Sequence, residues 1–177
     1  MNLSIPSWTS QPEIPIQYAC PSYGNNISPS ISWTPIKNAQ SYALILQDPD
    51  ANDFVHWYIP SISPSIHSID ALENSPKNIS NLSSFYSSHS IRVKQGINTH
   101  QTFGYFGPCA PKGTGIHKYT FYLYALDKDI YEIVKDIPQE VKLLFLPKKS
   151  NEFEELLQQK NIHILQKDSI SGNFQAP

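Results

Sequence analysis

Fifteen prolines divide this chain into short pieces, with Ser and Asn clustered between them. A proline inside a helix removes a hydrogen bond and clashes with the preceding turn, so long helices have few places to form. What remains is a series of short apolar runs bounded by turn residues. That pattern predicts a β-rich fold with many turns. The 177 residues suit one ordinary domain with a substantial core. With no internal repeat and no linker, residues 1–177 read as a single domain.

The run "SYALILQ" (41–47) ends at the turn signal Asp48-Pro49, too near a proline for a helix, and reads as a buried strand. "VHWYIP" (55–60) is a second strand, whose alternation puts His56 and Tyr58 on one face and Trp57 and Ile59 on the other. "HKYTFYLYALD" (117–127) is the clearest. His117, Tyr119, Phe121 and Leu123 share one face, and Thr120, Tyr122 and Tyr124 the opposite one. Aromatics on both faces imply cover on both sides, as in the middle of a sandwich. Residues 61–90, rich in Ser, Asn and Pro, read as irregular loop. "SNEFEELLQQKNI" (150–162) predicts a helix with Ser150 or Asn151 as N-cap, Glu152, Glu154 and Glu155 in its first turn, and Phe153, Leu156 and Leu157 as its apolar stripe. "HILQ" (163–166) looks like a closing strand.

A chain that is 40% hydrophobic and 16% charged is too apolar to be disordered. Thirteen basic residues against fifteen acidic ones supply no global attraction to nucleic acid or to an anionic membrane. The opening "MNLSIPSWTSQPEIPIQ" has neither the basic nor the apolar region of a signal peptide, and no run approaches the roughly 18 apolar residues of a membrane span. A cytoplasmic location is therefore expected. Cys20 and Cys109 could pair, but a reducing cytoplasm favours two free thiols.

Three segments gather the residues that could carry chemistry: Asp48-Pro49-Asp50, His56-Trp57, and "FGPCAPKGTGIHKY" (106–119). The Gly/Pro-rich third segment can bring backbone N–H groups close to a ligand. It delivers His117 at the start of a strand, hence at a sheet rim. A rim of two histidines and two carboxylates suggests a small anion pocket, in which each imidazole donates one N–H outward while a carboxylate orients its other nitrogen. A neighbouring Asp would also raise the histidine pKa and favour the charged form. Each piece has a plainer reading: a polar turn, a satisfied core histidine, a connector, and, for Cys109, a buried structural thiol. Patterns such as H-E-x-x-H, C-x-x-C, G-x-S-x-G and the Walker loop are absent. Two Asp and two His could bind a divalent ion, although no histidine pair is spaced on one element.

Taken together, "GNNISPSISWT" (24–34), "SYALILQDPDA" (41–51), "FVHWYI" (54–59) and "YFGPCAPKGTGIHKYTFYLYALD" (105–127) resemble the phosphatidylethanolamine-binding protein family, and more closely its compact bacterial and archaeal, Raf-kinase-inhibitor-like branch. The likeness covers about residues 20 to 170. It implies an antiparallel β-sandwich with Greek-key connections and a short carboxy-terminal helix. It also implies a pocket at one end of the sheet, without a cofactor, for a phosphate-like anion or phospholipid head group. Matched motif by motif, that pocket is formed by Asp48, Asp50, His56, His117 and Tyr119, with Gly107 and Pro111 lining it and Phe54 beside it. The implied role is non-catalytic binding that modulates a partner protein such as a kinase or protease, in a protein that pairs as a homodimer. Two rivals use the same sequence: a metal-assisted hydrolase built on the Asp/His cluster, and a protease-inhibitor or interaction module with the pocket secondary. Asn52 and Ala110 stand where the family usually has proline, which should loosen the backbone near the pocket. The 61–90 segment is longer than the compact branch usually carries.

Overall fold

Two antiparallel sheets share the residues that the sequence marks as strands. The computed structural model describes residues 1–9, 13–71 and 93–177. A small sheet is built from β1 (Leu3–Ser4), β2 (Ile31–Trp33) and β5 (Ser68–Ile69), in that order. A larger one contains β3 (Ser41–Asp48), β4 (Phe54–Ile62), β6 (Val93–Lys94), β7 (His117–Leu126) and β8 (Ile164–Phe174), in the order β6-β4-β3-β7-β8. Among the described residues the α-helices are short: α1 (Pro6–Thr9), α2 (Ile130–Val134), α3 (Pro138–Leu144) and α4 (Ser150–Gln159).

β3 and β7 are central, and the predicted cover on both faces of β7 is present. On one face Leu44, Leu46, Trp57, Ile59, Tyr119, Phe121 and Leu123 pack with Leu3, Ile31 and Trp33 of the small sheet and with Trp8 of α1. On the other, Ala43, Ile45, Tyr58, Tyr124 and Leu126 pack with Ile130 and Val134 of α2, Leu144 of α3, and Phe153 and Leu157 of α4. That face is thus covered by helices. Pro60 sits inside β4 without breaking it because the β3 register shifts there, between Tyr42↔Ile62 and Leu44↔Ile59. A bulge leaves residues outside the ladder, which is where a residue without an N–H is tolerated.

The closing strand is much longer than "HILQ". β8 runs eleven residues and pairs with β7 from Leu126↔Ile164 to His117↔Phe174. From Gln166 onward its exposed residues are polar and its burial alternates, as suits an edge strand protected by charge at Lys167 and Asp168, while Ile164 and Leu165 at its start are exposed. The expected helix forms, but its N-cap is Lys149 rather than Ser150 or Asn151. The Ser150 N–H donates to Gln47 Oε1 of β3 at 2.9 Å, and the Glu152 carboxylate accepts from the Lys149 N–H at 3.0 Å. A residue from another element therefore does what a local cap would have done. Within 61–90, Ser61 and Ile62 finish β4 and Ser68–Ile69 form β5, so part of the expected irregular loop is strand; its remainder, from residue 72 onward, lies outside the described residues.

Candidate functional site

Antiparallel pairing creates the site. β3 runs against both β4 and β7, so the end of β3 at Asp48 meets the beginnings of its two neighbours, Phe54–His56 and His117–Tyr119. Asp48 is 1% exposed and its carboxylate organises the cluster. Oδ1 accepts the backbone N–H groups of Asp50 at 2.9 Å and Ala51 at 3.2 Å, capping the short 3-10 turn Pro49–Ala51. Oδ2 lies 2.7 Å from Nδ1 of His117, which is also buried. The Tyr119 hydroxyl lies near enough to the same carboxylate to feel its charge. Asp50 is exposed and plays a different part, since its Oδ2 accepts the Lys118 N–H at 2.8 Å and so ties the turn to the start of β7.

His56 stands on the other side of Tyr119, with ring centroids 5.1 Å apart. Its position corrects the simple alternation, which put it on the face of Tyr58. The β3–β4 register shifts between Leu46↔Trp57 and Gln47↔Val55, leaving His56 as the extra residue of a bulge. A bulge breaks the two-residue period, so His56 joins Tyr119 while Tyr58 turns toward the helices. The His56 Nδ1–H donates to the Phe106 carbonyl at 2.8 Å, a bond that leaves Nε2 as the ring's remaining polar atom. Phe54, half-buried, lies 4.6 Å from the His56 ring, and Phe106 stacks between His56 and the exposed His100.

Burial sets the electrostatics. It pushes the His56 imidazole down from 6.5 to about 4, against the opposing pull of the Phe106 carbonyl and Asp48. The carboxylate does not keep His56 charged, contrary to the expectation from proximity, because removing the ring from water costs more. Burial, and then Asp48, push the Tyr119 phenol well above its ordinary range. A consequence for stability follows by sign. The unfolded His56 binds its proton near pH 6.5 and the folded one near 4, so acid favours the unfolded chain. The contribution is full above about pH 6.5 and is lost as pH falls toward 4, amounting to about 3 kcal/mol. Unfolding free energies from urea titrations at pH 7 and pH 4 should differ by about that much more in the wild type than in His56→Gln. Equal separations would show that another group titrates.

The Gly/Pro-rich loop delivers groups to both histidines. Gly107 is buried and donates its N–H to Asn26 Oδ1 at 2.7 Å, and a Cβ there would stand 2.1 Å from the Tyr18 carbonyl oxygen. Only glycine allows so close an approach. Pro111 is exposed, with its carbonyl accepting from the Thr114 N–H at 3.2 Å and hydroxyl at 2.8 Å. The Thr114 hydroxyl in turn lies 2.9 Å from Nε2 of His117.

Two expectations about this loop change. Cys20 and Cys109 form a disulfide rather than two free thiols, with Cα atoms 5.4 Å apart. It fastens the loop to the Tyr18–Cys20 segment, where the Cys20 N–H also donates to the Pro108 carbonyl at 3.0 Å. The two missing prolines, moreover, do not simply loosen the backbone. Asn52 adopts φ 55, a left-handed conformation that the proline ring, locked near −65°, cannot reach and that Asn tolerates well. Ala110 keeps a backbone N–H next to the Cys109 N–H that donates to the Tyr119 hydroxyl at 3.2 Å, and proline would have none. Sequence reasoning does not single out Asn26, His100, Phe106 or Thr114. They belong to short polar or loop segments with no periodic signal, and only their contacts distinguish them.

Two imidazoles and a phenol surround a carboxylate whose own oxygens are engaged by N–H donors. Among the described residues, no group of three or more His, Cys, Asp or Glu is placed to hold a metal ion.

A family model described as phosphatidylethanolamine-binding protein matches residues 4–175. The UPF0098 protein of Methanothermobacter thermautotrophicus is 40% identical over 130 residues, which are 72% of this chain and 77% of that protein. A Mycobacterium tuberculosis protein provisionally named lipoprotein LppC is 34% identical over 128 residues, 71% of this chain but only 55% of its own length. Among solved structures, Escherichia coli YbcL, described as a member of the mammalian PEBP family, superposes with a TM-score of 0.72 over 99% of this chain and 98% of its own, at 18% identity. That last likeness is one of fold.

Proposed function

The chain belongs to the phosphatidylethanolamine-binding protein family, and from that premise we propose that it is a non-catalytic binding protein for a phosphate-like anion or phospholipid head group. The observation that carries the reading is the buried Asp48–His117 pair at 2.7 Å, with His56 and Tyr119 around it. The acid engages one nitrogen of the imidazole and so turns the other toward the loop. Gly107, Pro111 and Phe54 frame the site, and Asp50 holds its floor in register. The kinase- or protease-modulating role and the homodimer rest on the family likeness alone.

The disulfide bears on where the protein works. Such bonds persist in oxidising compartments and are rare in the cytosol. We therefore place it in an oxidising compartment rather than the cytoplasm, in keeping with its likeness to a protein carrying a lipoprotein name. Among the described residues no helix is long and apolar enough to cross a membrane.

Calorimetric titration tests the site. Phosphoethanolamine and inorganic phosphate should both bind the wild type, and His117→Ala should bind at least about tenfold more weakly, since a hydrogen bond to a charged group contributes about 1.5–3 kcal/mol. Equal affinity in the two proteins, or binding by neither, overturns the proposal.

A further inference from the structure

Thr114 occupies the atom of His117 that an anion would use. Nδ1 of His117 is engaged by Asp48, so Nε2 is the nitrogen left for a ligand, and the Thr114 hydroxyl oxygen already lies 2.9 Å from it. The hydroxyl hydrogen is directed at the Pro111 carbonyl, 2.8 Å away. With His117 protonated on both ring nitrogens, Nε2–H donates to a lone pair of the hydroxyl oxygen, as it would to a phosphate oxygen.

The surroundings of Thr114 suit displacement. It is exposed, and it lies between Gly113 and Gly115, both at φ 85, where a side chain would be strained although the space around each is open. Those two glycines let residue 114 leave the histidine without dragging the rest of the loop. The buried partners on the other side, Asp48 and Tyr119, have no such freedom.

Resting on the anion-binding reading above, we infer that Thr114 is an internal cap on His117, an oxygen of the protein's own that holds the ligand's place and sets the affinity by competing for Nε2. An anionic oxygen makes a shorter and stronger bond to an imidazole N–H than a neutral hydroxyl does, so the ligand wins the exchange. Its apparent affinity is lowered by whatever the Thr114–His117 bond contributes.

The test compares wild type, Thr114→Val and Thr114→Ser. Valine keeps the shape and removes the oxygen, whereas serine keeps the hydroxyl. Titrated with inorganic phosphate, Thr114→Val should bind about threefold to tenfold more tightly than wild type, the fold-change that corresponds to one ordinary hydrogen bond, and Thr114→Ser should match wild type. Unchanged or weaker binding by Thr114→Val overturns the cap. A second readout needs no ligand. In long-range proton–nitrogen NMR spectra of the ligand-free proteins, the Nε2 resonance of His117 should move in Thr114→Val and stay in place in Thr114→Ser. If no protein binds phosphate, the anion reading fails while this spectrum still judges the contact; an unmoved resonance in Thr114→Val overturns the cap by itself.

Discussion

Reducing the Cys20–Cys109 bond, or replacing both cysteines by serine, lowers the unfolding free energy by about 4 kcal/mol. The two cysteines are 89 residues apart, so the bond closes a long loop of the unfolded chain, and a loop of that order removes about 4–5 kcal/mol of chain entropy. Reduction also acts locally on the folded protein. The bond holds the 106–109 loop against Tyr18–Cys20, and that loop carries the Phe106 carbonyl that fixes His56 and the Cys109 N–H that reaches Tyr119. Urea unfolding with and without dithiothreitol measures the loss in the wild type, and a Cys20→Ser/Cys109→Ser variant should show none on reduction. Oxidised wild type no more stable than the double variant would mean that the bridge does not constrain the chain.

The second large effect belongs to Asp48. Asp48→Ala should cost about 3–5 kcal/mol, because it removes one partner of a buried pair and leaves the other groups without an acceptor. His117 and the Asp50 and Ala51 N–H groups all lose a bond at once. Asp48→Asn retains an oxygen for the backbone donors and should cost less than Asp48→Ala. Asp50→Ala, with its carboxylate exposed and only one backbone bond to lose, should cost about 1 kcal/mol. Denaturation midpoints for the three variants decide the order. A cost for Asp48→Ala no larger than that for Asp50→Ala would remove Asp48 from the centre of the cluster.

The strands at 41–48, 54–62 and 117–126 were legible because they are buried on one or both faces, and burial demands runs of apolar and aromatic residues. β8 was legible only at its first residues. An edge strand keeps polar side chains outward, so "KDSISGNF" carries little hydrophobic signal although its backbone pairs with the whole of β7. α2 and α3, of five and seven residues, are too short for a helical period to show. At the site, Asp48, His56, His117 and Tyr119 could be named from their motifs. The side of the sheet that His56 occupies could not, since a bulge is a mismatch between two strands and belongs to neither alone. Asn52 looked like a loosened proline position, yet it marks a left-handed turn.

The amino-acid order alone therefore determined that this chain builds a mostly β structure and that its acids and histidines come from the ends of particular strands. Hydrophobic burial and turn chemistry act locally enough to be read along the chain. Only the tertiary structure decided that Asp48 serves His117, that burial keeps His56 uncharged near neutral pH, that Cys20 meets Cys109, and that Thr114 rests against Nε2 of His117. Each of these is a relation between residues brought together by strand pairing and loop closure, and its energy depends on distance and solvent exclusion, which sequence spacing does not contain.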